Sequence, residues 1–164
     1  MNPVDIDLQR VEAQVAQLVL PAFDEGTAWA IGSRLRELAA LRGQAITIEV
    51  RHAGHTVFLS AMPGTAPGNA DWARRKRASV ELIGRPSYEL YLRAQRDGRN
   101  SLDSMQLPRR DFADHGGAFP VRVAGGGLVG VVTVSGLPQR DDHNLVVEVL
   151  ATHAAVDHDA IRLP

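Results

Sequence analysis

Two stretches with strict alternation constrain the fold of this chain more than any other feature. "AITIEVRHAGHTVFLSA" (45–61) and "AFPVRVAGGGLVGVVTVS" (118–135) each place apolar residues at every second position on either side of a glycine turn. A period of two puts those side chains on one face of a hairpin. In the first, Ala53-Gly54 makes the turn, and the spacing predicts pairs Ile48–Leu59, Val50–Val57 and His52–His55. In the second, Gly125-Gly126-Gly127 makes the turn and Phe119, Val121 and Val123 share a face. An isolated hairpin cannot bury its apolar side. The two are therefore expected to merge into one mostly antiparallel sheet of four to five strands flanked by helices, an α+β, three-layer α-β-α, profilin-like arrangement.

The helices are written at period 3.6. Val4, Leu8, Val11, Val15, Leu18 and Val19 form one stripe, ending before Pro21, and Trp29, Ile31, Leu35, Leu38 and Leu41 form a second, closed by Gly43. They predict an N-terminal helical extension over about 4–42. Further helices are expected from Asn69 or Asp71, from about Arg85, and from about Asp141 to His158, whereas 100–117 reads as a surface connection. No linker divides the 164 residues, which suit a single domain, 1–164. The net charge of -1 gives no overall basic footprint, and "RRKR" (74–77) lacks aromatic interleaving, so nucleic acid is not an expected partner. The N-terminus has neither the basic residues nor the apolar run of a signal peptide, and no stretch approaches ~20 apolar residues, so a cytoplasmic location without membrane partner is expected. Without cysteine, thiolate chemistry and thiolate metal sites are excluded.

Three places carry candidate chemistry. On a helical wheel Lys76 falls amid Trp72, Ala73, Val80 and Ile83, opposite Arg74, Arg77 and Glu81. It either snorkels along Trp72 or presents its ammonium to a pocket, there to hold a carboxylate or phosphate. In "DFADHGGAFP", Gly116 and Gly117 permit close backbone approach, Pro120 removes a ladder donor, and His115 could line a cavity. At "SGLPQRDDH" (135–143) a strand passes into a helix. Asp141 or Asp142 suits the N-cap, whereas Ser135 and His143 exceed what a cap needs and could line an acceptor-binding corner at the free N–H groups. "VSGLP" lacks the G-x-S-x-G turn of α/β-hydrolases, which disfavours a Ser–His–Asp triad. His52 and His55 offer two nitrogens but no evident third ligand, and His153 and His158 are five apart, off the i,i+4 spacing, so no metal site is expected.

"WARRKRASV" (72–80), "HGGAFPVRV" (115–123) and "GVVTVSGLPQRDDH" (130–143) together resemble the haem-degrading-domain superfamily, the GlcG/HbpS-like group, and most closely an uncharacterised (UPF-type) sibling family within it. The resemblance covers most of the chain after about Ala45. The longer segment before the first strand and the Phe119-Pro120 pair after the glycines depart from those relatives. It implies an antiparallel sheet flanked by helices, a homo-oligomer of two or more copies, and haem or another tetrapyrrole as ligand, with slow oxidative breakdown of haem in some members. Through the resemblance, Trp72, Lys76, His115, Gly116, Gly117, Phe119, Ser135, Gly136, Asp142 and His143 become candidate ligand-binding residues. Two functions stand open: a small-ligand site at the end of the sheet, with His115 the first candidate for haem iron, or a non-enzymatic oligomeric interaction protein whose motifs form the subunit interface.

Overall fold

The structure, a computed structural model, describes residues 1–164. In chain order the elements are α1 (Pro3–Gln17), β1 (Val19–Leu20), α2 (Glu25–Leu41), β2 (Thr47–His52), β3 (His55–Ala61), α3 (Pro67–Ile83), α4 (Ser87–Asp97), α5 (Ser101–Ser104), β4 (Ala118–Val123), β5 (Gly127–Ser135), α6 (Gln139–Ala154) and α7 (His158–Ile161). The sheet has five strands in the order β1-β4-β5-β2-β3. The two hairpins meet along β2 and β5, and all pairs are antiparallel except β1 with β4. No helix is long and apolar enough to cross a membrane.

Alternation sorts the sheet into two unlike faces. Ile48 and Val50, Phe119 and Val121, and Val132 and Val134 point to one side, where Ile31, Leu35 and Ala39 of α2 and Leu145, Val146, Val149 and Leu150 of α6 complete the main core. The other side presents Thr47, Glu49, Thr133 and Ser135 to α3, all buried. Its apolar content there is a small patch of Val80, Ala118 and Val131. Glu49 accepts from Thr56 Oγ1 (2.8 Å) and Arg77 (3.1 Å). The Thr47 and Thr133 hydroxyls are buried without a protein partner. α1, α4 and the C-terminal residues form a separate cluster through Leu8, Val11, Tyr88, Leu92 and Leu163.

Several local expectations are corrected. The first hairpin pairs His52 with His55 as expected, but a bulge between Val50 and Arg51 shifts the rest, so Val50 faces Phe58 and Ile48 faces Ser60. The extra residue turns Phe58 into the core and Leu59 outward. β1 was hidden in the first helical stripe because two residues carry no readable period. Trp29 and Leu41 were counted on the buried stripe of α2 but lie outside, 59% and 75% exposed. α3 begins at Pro67, ahead of the expected start at Asn69 or Asp71. α6 begins after Pro138, so neither Asp141 nor Asp142 is its N-cap, and it ends at left-handed Ala155 before the separate α7.

Gly32 on α2 lets the Phe58 ring lie against the helix backbone, and a methyl group at that position would drive into the ring. Gly32→Ala should therefore destabilise the protein by ~1–3 kcal/mol through overpacking, outweighing the ~1 kcal/mol that alanine gains in a helix. Urea unfolding measures the loss, and adding Phe58→Leu should restore part of it through coupling of the two sites.

Candidate functional site

At the end of the sheet, where β5 passes into α6, the polar face opens into a cavity of about 230 Å³. Asn69, Trp72 and Lys76 of α3, His115, Ser135, Gly136 and Leu137 of the joint, and Gln139 and Asp142 of α6 line it. Only Trp72 and Leu137 among these are apolar. Three larger hollows lie elsewhere, about 420 Å³ at the hairpin tips, about 630 Å³ along α2 and β3 and about 380 Å³ between α1 and Arg96, but none has a buried ionisable pair in its wall.

Lys76 is 3% exposed and does not snorkel. Its Nζ donates to Asp142 Oδ2 at 2.9 Å and to the Val134 carbonyl at 3.2 Å. An ammonium has three protons, so one donor remains beyond these two bonds. Asp142 Oδ1 accepts from the Leu137 N–H at 3.0 Å, which folds the 135–138 joint around the carboxylate. Burial pushes the Asp142 carboxyl up to about 6, against the pull of Lys76 and the backbone N–H groups. Burial likewise lowers the Lys76 ammonium, against the pull of Asp142. Both shifts favour the neutral form of the pair.

The glycines make this packing feasible. Gly117, at φ 130°, accepts from the Val134 N–H at 2.8 Å, and a Cβ there would fall 2.9 Å from Lys76 Nζ. Gly116 donates its N–H to Gln139 Oε1 at 3.0 Å. Beside them, the half-exposed His115 ring lies 4.7 Å from Trp72, and its Nδ1 is 3.5 Å from Asp114 Oδ1. That imidazole holds the Asp114 carboxyl below the usual range. The Arg75 guanidinium packs 4.3 Å from the centre of the Trp72 ring.

Six of the ten sequence candidates thus line one cavity: Trp72, Lys76, His115, Ser135, Gly136 and Asp142. Gly116 and Gly117 shape its wall, whereas Phe119 and His143 lie outside it. His143 follows Asp142 on a helix, so its side chain points about 100° away. It meets Gln14 Oε1 through Nε2 at 2.8 Å and packs on Tyr88 and Phe119. Gln14 donates its amide to Ile161, which makes the His143 Nε2 the donor. Burial pushes this imidazole down to about 3, so it is neutral and has a structural part in joining α6 to α1. Asn69, Leu137 and Gln139 were missed, since nothing in their spacing marks them. His52 and His55 find an acid in Glu25, at 3.0 and 3.7 Å, but no trio of metal-capable side chains converges there or elsewhere.

Because the Lys76 partner is internal, Lys76→Met is not neutral for stability, as it would be for a lysine serving only a ligand. It leaves a buried carboxylate without its cation. The folded pKa of Asp142, about 6, lies above its ordinary value of 3.8. The stability this contributes is complete below pH ~3.8 and lost as pH rises through the folded value. Removing Lys76 raises the carboxyl further and deepens that loss. Lys76→Met should cost ~3–5 kcal/mol near pH 8, with recovery of up to ~1.4 kcal/mol per pH unit towards pH 5. Guanidinium unfolding at the two pH values tests this, and an equal loss at both would contradict it.

Comparison with known proteins bears on the fold and on the motifs of this cavity. Residues 23–151 match the family model described as haem degrading protein HbpS-like. A UPF0303 protein of Azotobacter vinelandii is 53% identical over 148 residues, covering 90% of this chain and 89% of the relative. Among solved structures, the Ybr137w protein superposes with a TM-score of 0.79 at 23% identity, over 90% of this chain and 87% of that one. The PduOC:heme complex superposes with a TM-score of 0.64 at 19% identity, over 81% and 94%. These likenesses agree with the mostly antiparallel α+β sheet. The chain belongs to the HbpS-like haem-degrading family, in its UPF0303 branch.

Proposed function

We propose that residues 1–164 form a single small-ligand-binding domain whose site is the Lys76–Asp142–His115 cavity, with haem or another tetrapyrrole as the ligand. One observation carries this reading: a buried ammonium keeps a free donor at the floor of a polar cavity whose rim is a tilted Trp72–His115 ring pair. Family membership and the haem in a structural relative support the choice of ligand class.

Two groups of the cavity would suit haem, the Lys76 ammonium for its carboxylates and the His115 imidazole for its iron. Lys76 would receive a propionate by a charge-assisted hydrogen bond. His115, with Nδ1 turned to Asp114, leaves Nε2 available to iron, the second-shell arrangement common among ligating histidines. At about 230 Å³ the cavity is smaller than the ~300–1,000 Å³ of drug-sized sites, so it would receive only part of a tetrapyrrole. When bound there, haem would supply a redox centre. The chain's own residues bind, orient and neutralise charge.

A second reading, an oligomeric interaction protein, is favoured by a different surface. Trp29, Leu41 and Leu59, 59%, 75% and 66% exposed, cluster along α2 and the open edge strand β3. Such a surface beside an unpaired strand is suited to association with another copy.

Two measurements test these readings. Haemin titration of the wild type should give a shifted Soret band that His115→Ala abolishes, with affinity lowered about tenfold or more through loss of the axial imidazole. An identical spectrum and affinity in the variant, or no binding in either, would remove this assignment. Sedimentation at micromolar concentration should show a dimer or a larger closed assembly, and a monomer alone would sink the oligomer reading.

A further inference from the structure

Lysine occurs once in this chain. Of the 18 lysine and arginine residues only Lys76 is a lysine, and it is also the only one of them that is buried. A position that served only to neutralise Asp142 would suit arginine, whose fork pairs with a carboxylate through two parallel hydrogen bonds and whose charge is permanent. What lysine offers instead is a primary amine that can lose its proton and become a nucleophile.

We propose that Lys76 is a carbonyl-capturing amine, its Nζ forming a Schiff base with a small aldehyde or 2-oxo acid admitted to the cavity, and Asp142 carrying the protons. The geometry has the parts in place. The amine and the carboxyl are 2.9 Å apart, so transfer of one proton from Nζ to Oδ2 gives a neutral pair without moving an atom of the frame. The opposed displacements of the two groups by burial lower the cost of that neutral form. The cavity has the volume of roughly seven waters, enough for a compound of a few carbon atoms. Asn69, Ser135 and Gln139 supply polar contacts around it.

The chemistry balances within the pair. The Nζ lone pair attacks the carbonyl carbon, and the C=O π electrons move to oxygen, which takes the proton from the Asp142 carboxyl. The nitrogen then returns a proton to Asp142. That proton goes to the carbinolamine hydroxyl, the C–O bond breaks, water leaves, and a protonated imine remains opposite the Asp142 carboxylate. One carbonyl compound and one ammonium give one iminium and one water, and no oxidant or reductant enters.

This inference rests on the reading that the cavity receives a ligand, but it does not require that ligand to be haem. Its test uses the intact wild-type chain with glyoxylate and, separately, propanal, one anionic and one neutral, in the presence of cyanoborohydride. Peptide mapping by mass follows alkylation at Lys76 and at the Met1 α-amine, the only two primary amines. Lys76 should be alkylated about tenfold or more faster in the folded protein than in the chain unfolded by guanidinium chloride, because an inert buried lysine would instead be protected by folding. Preference for glyoxylate identifies the 2-oxo-acid class, and preference for propanal the neutral aldehydes. Lys76→Arg should retain the Met1 adduct alone. Labelling no faster in the folded than in the unfolded chain overturns the inference, whatever haemin does. Fast labelling of Lys76 without haemin binding leaves it standing and removes the tetrapyrrole reading instead.

Discussion

The buried contact between Lys76 and Asp142 fixes the end of the sheet that holds the polar cavity. It joins α3 to α6 across the terminus of β5, and through the Val134 carbonyl and the Leu137 N–H it also sets the path of the backbone between strand and helix. Desolvating two ions costs several kcal/mol each, and their attraction offsets this only when the remaining hydrogen bonds are met. Here they are met in part by backbone groups and in part left facing a cavity. Close approach of the 115–118 segment to β5 requires glycine at 117, at φ 130°, because a Cβ there would fall 2.3 Å from the Val134 carbonyl oxygen and 2.9 Å from Nζ. The same contact thus lies where three stretches far apart in sequence meet, α3, 115–118 and 134–142.

The two faces of the sheet divide the work. Stability resides mainly on the α2/α6 side, where large aliphatic side chains interdigitate. The α3 side buries threonines, a serine, a glutamate, a lysine and an aspartate. Such a layer contributes little by hydrophobic burial and holds groups whose charge state responds to their surroundings. Placing it against a rigid sheet gives the cavity fixed walls.

The sheet was legible because alternation is a local signal, repeated over enough residues to exclude a helix. The inward turn of Lys76 was legible for the same reason, since the wheel of α3 needs only neighbouring positions. Its partner was not. Asp142 lies 66 positions away, and nothing periodic connects the two. Treating 135–143 as one polar group drew in His143, although adjacent residues on a helix diverge, and the structure sends it to Gln14. The bulge beside Val50 was invisible because either register of β3 keeps an apolar face, and only the packing of Phe58 against Gly32 selects one. The motifs shared with the family located the cavity better than residue chemistry did, which by itself left Asn69 and Gln139 unmarked.

The two-residue strand β1 has a consequence for how copies of this protein can add to one another. It lies parallel along the end of β4 and covers the backbone groups of Arg122 and Val123 there, while the opposite border of the sheet, β3, is seven residues long and uncovered by another strand. A sheet with two equal borders can polymerise head to tail without limit. This one has a long border on one side and a blunted one on the other. Pairing of β3 with β3 from a second copy about a twofold axis uses both long borders at once, and growth by strand addition stops there. The short strand therefore leaves this sheet without a second long border for strand addition.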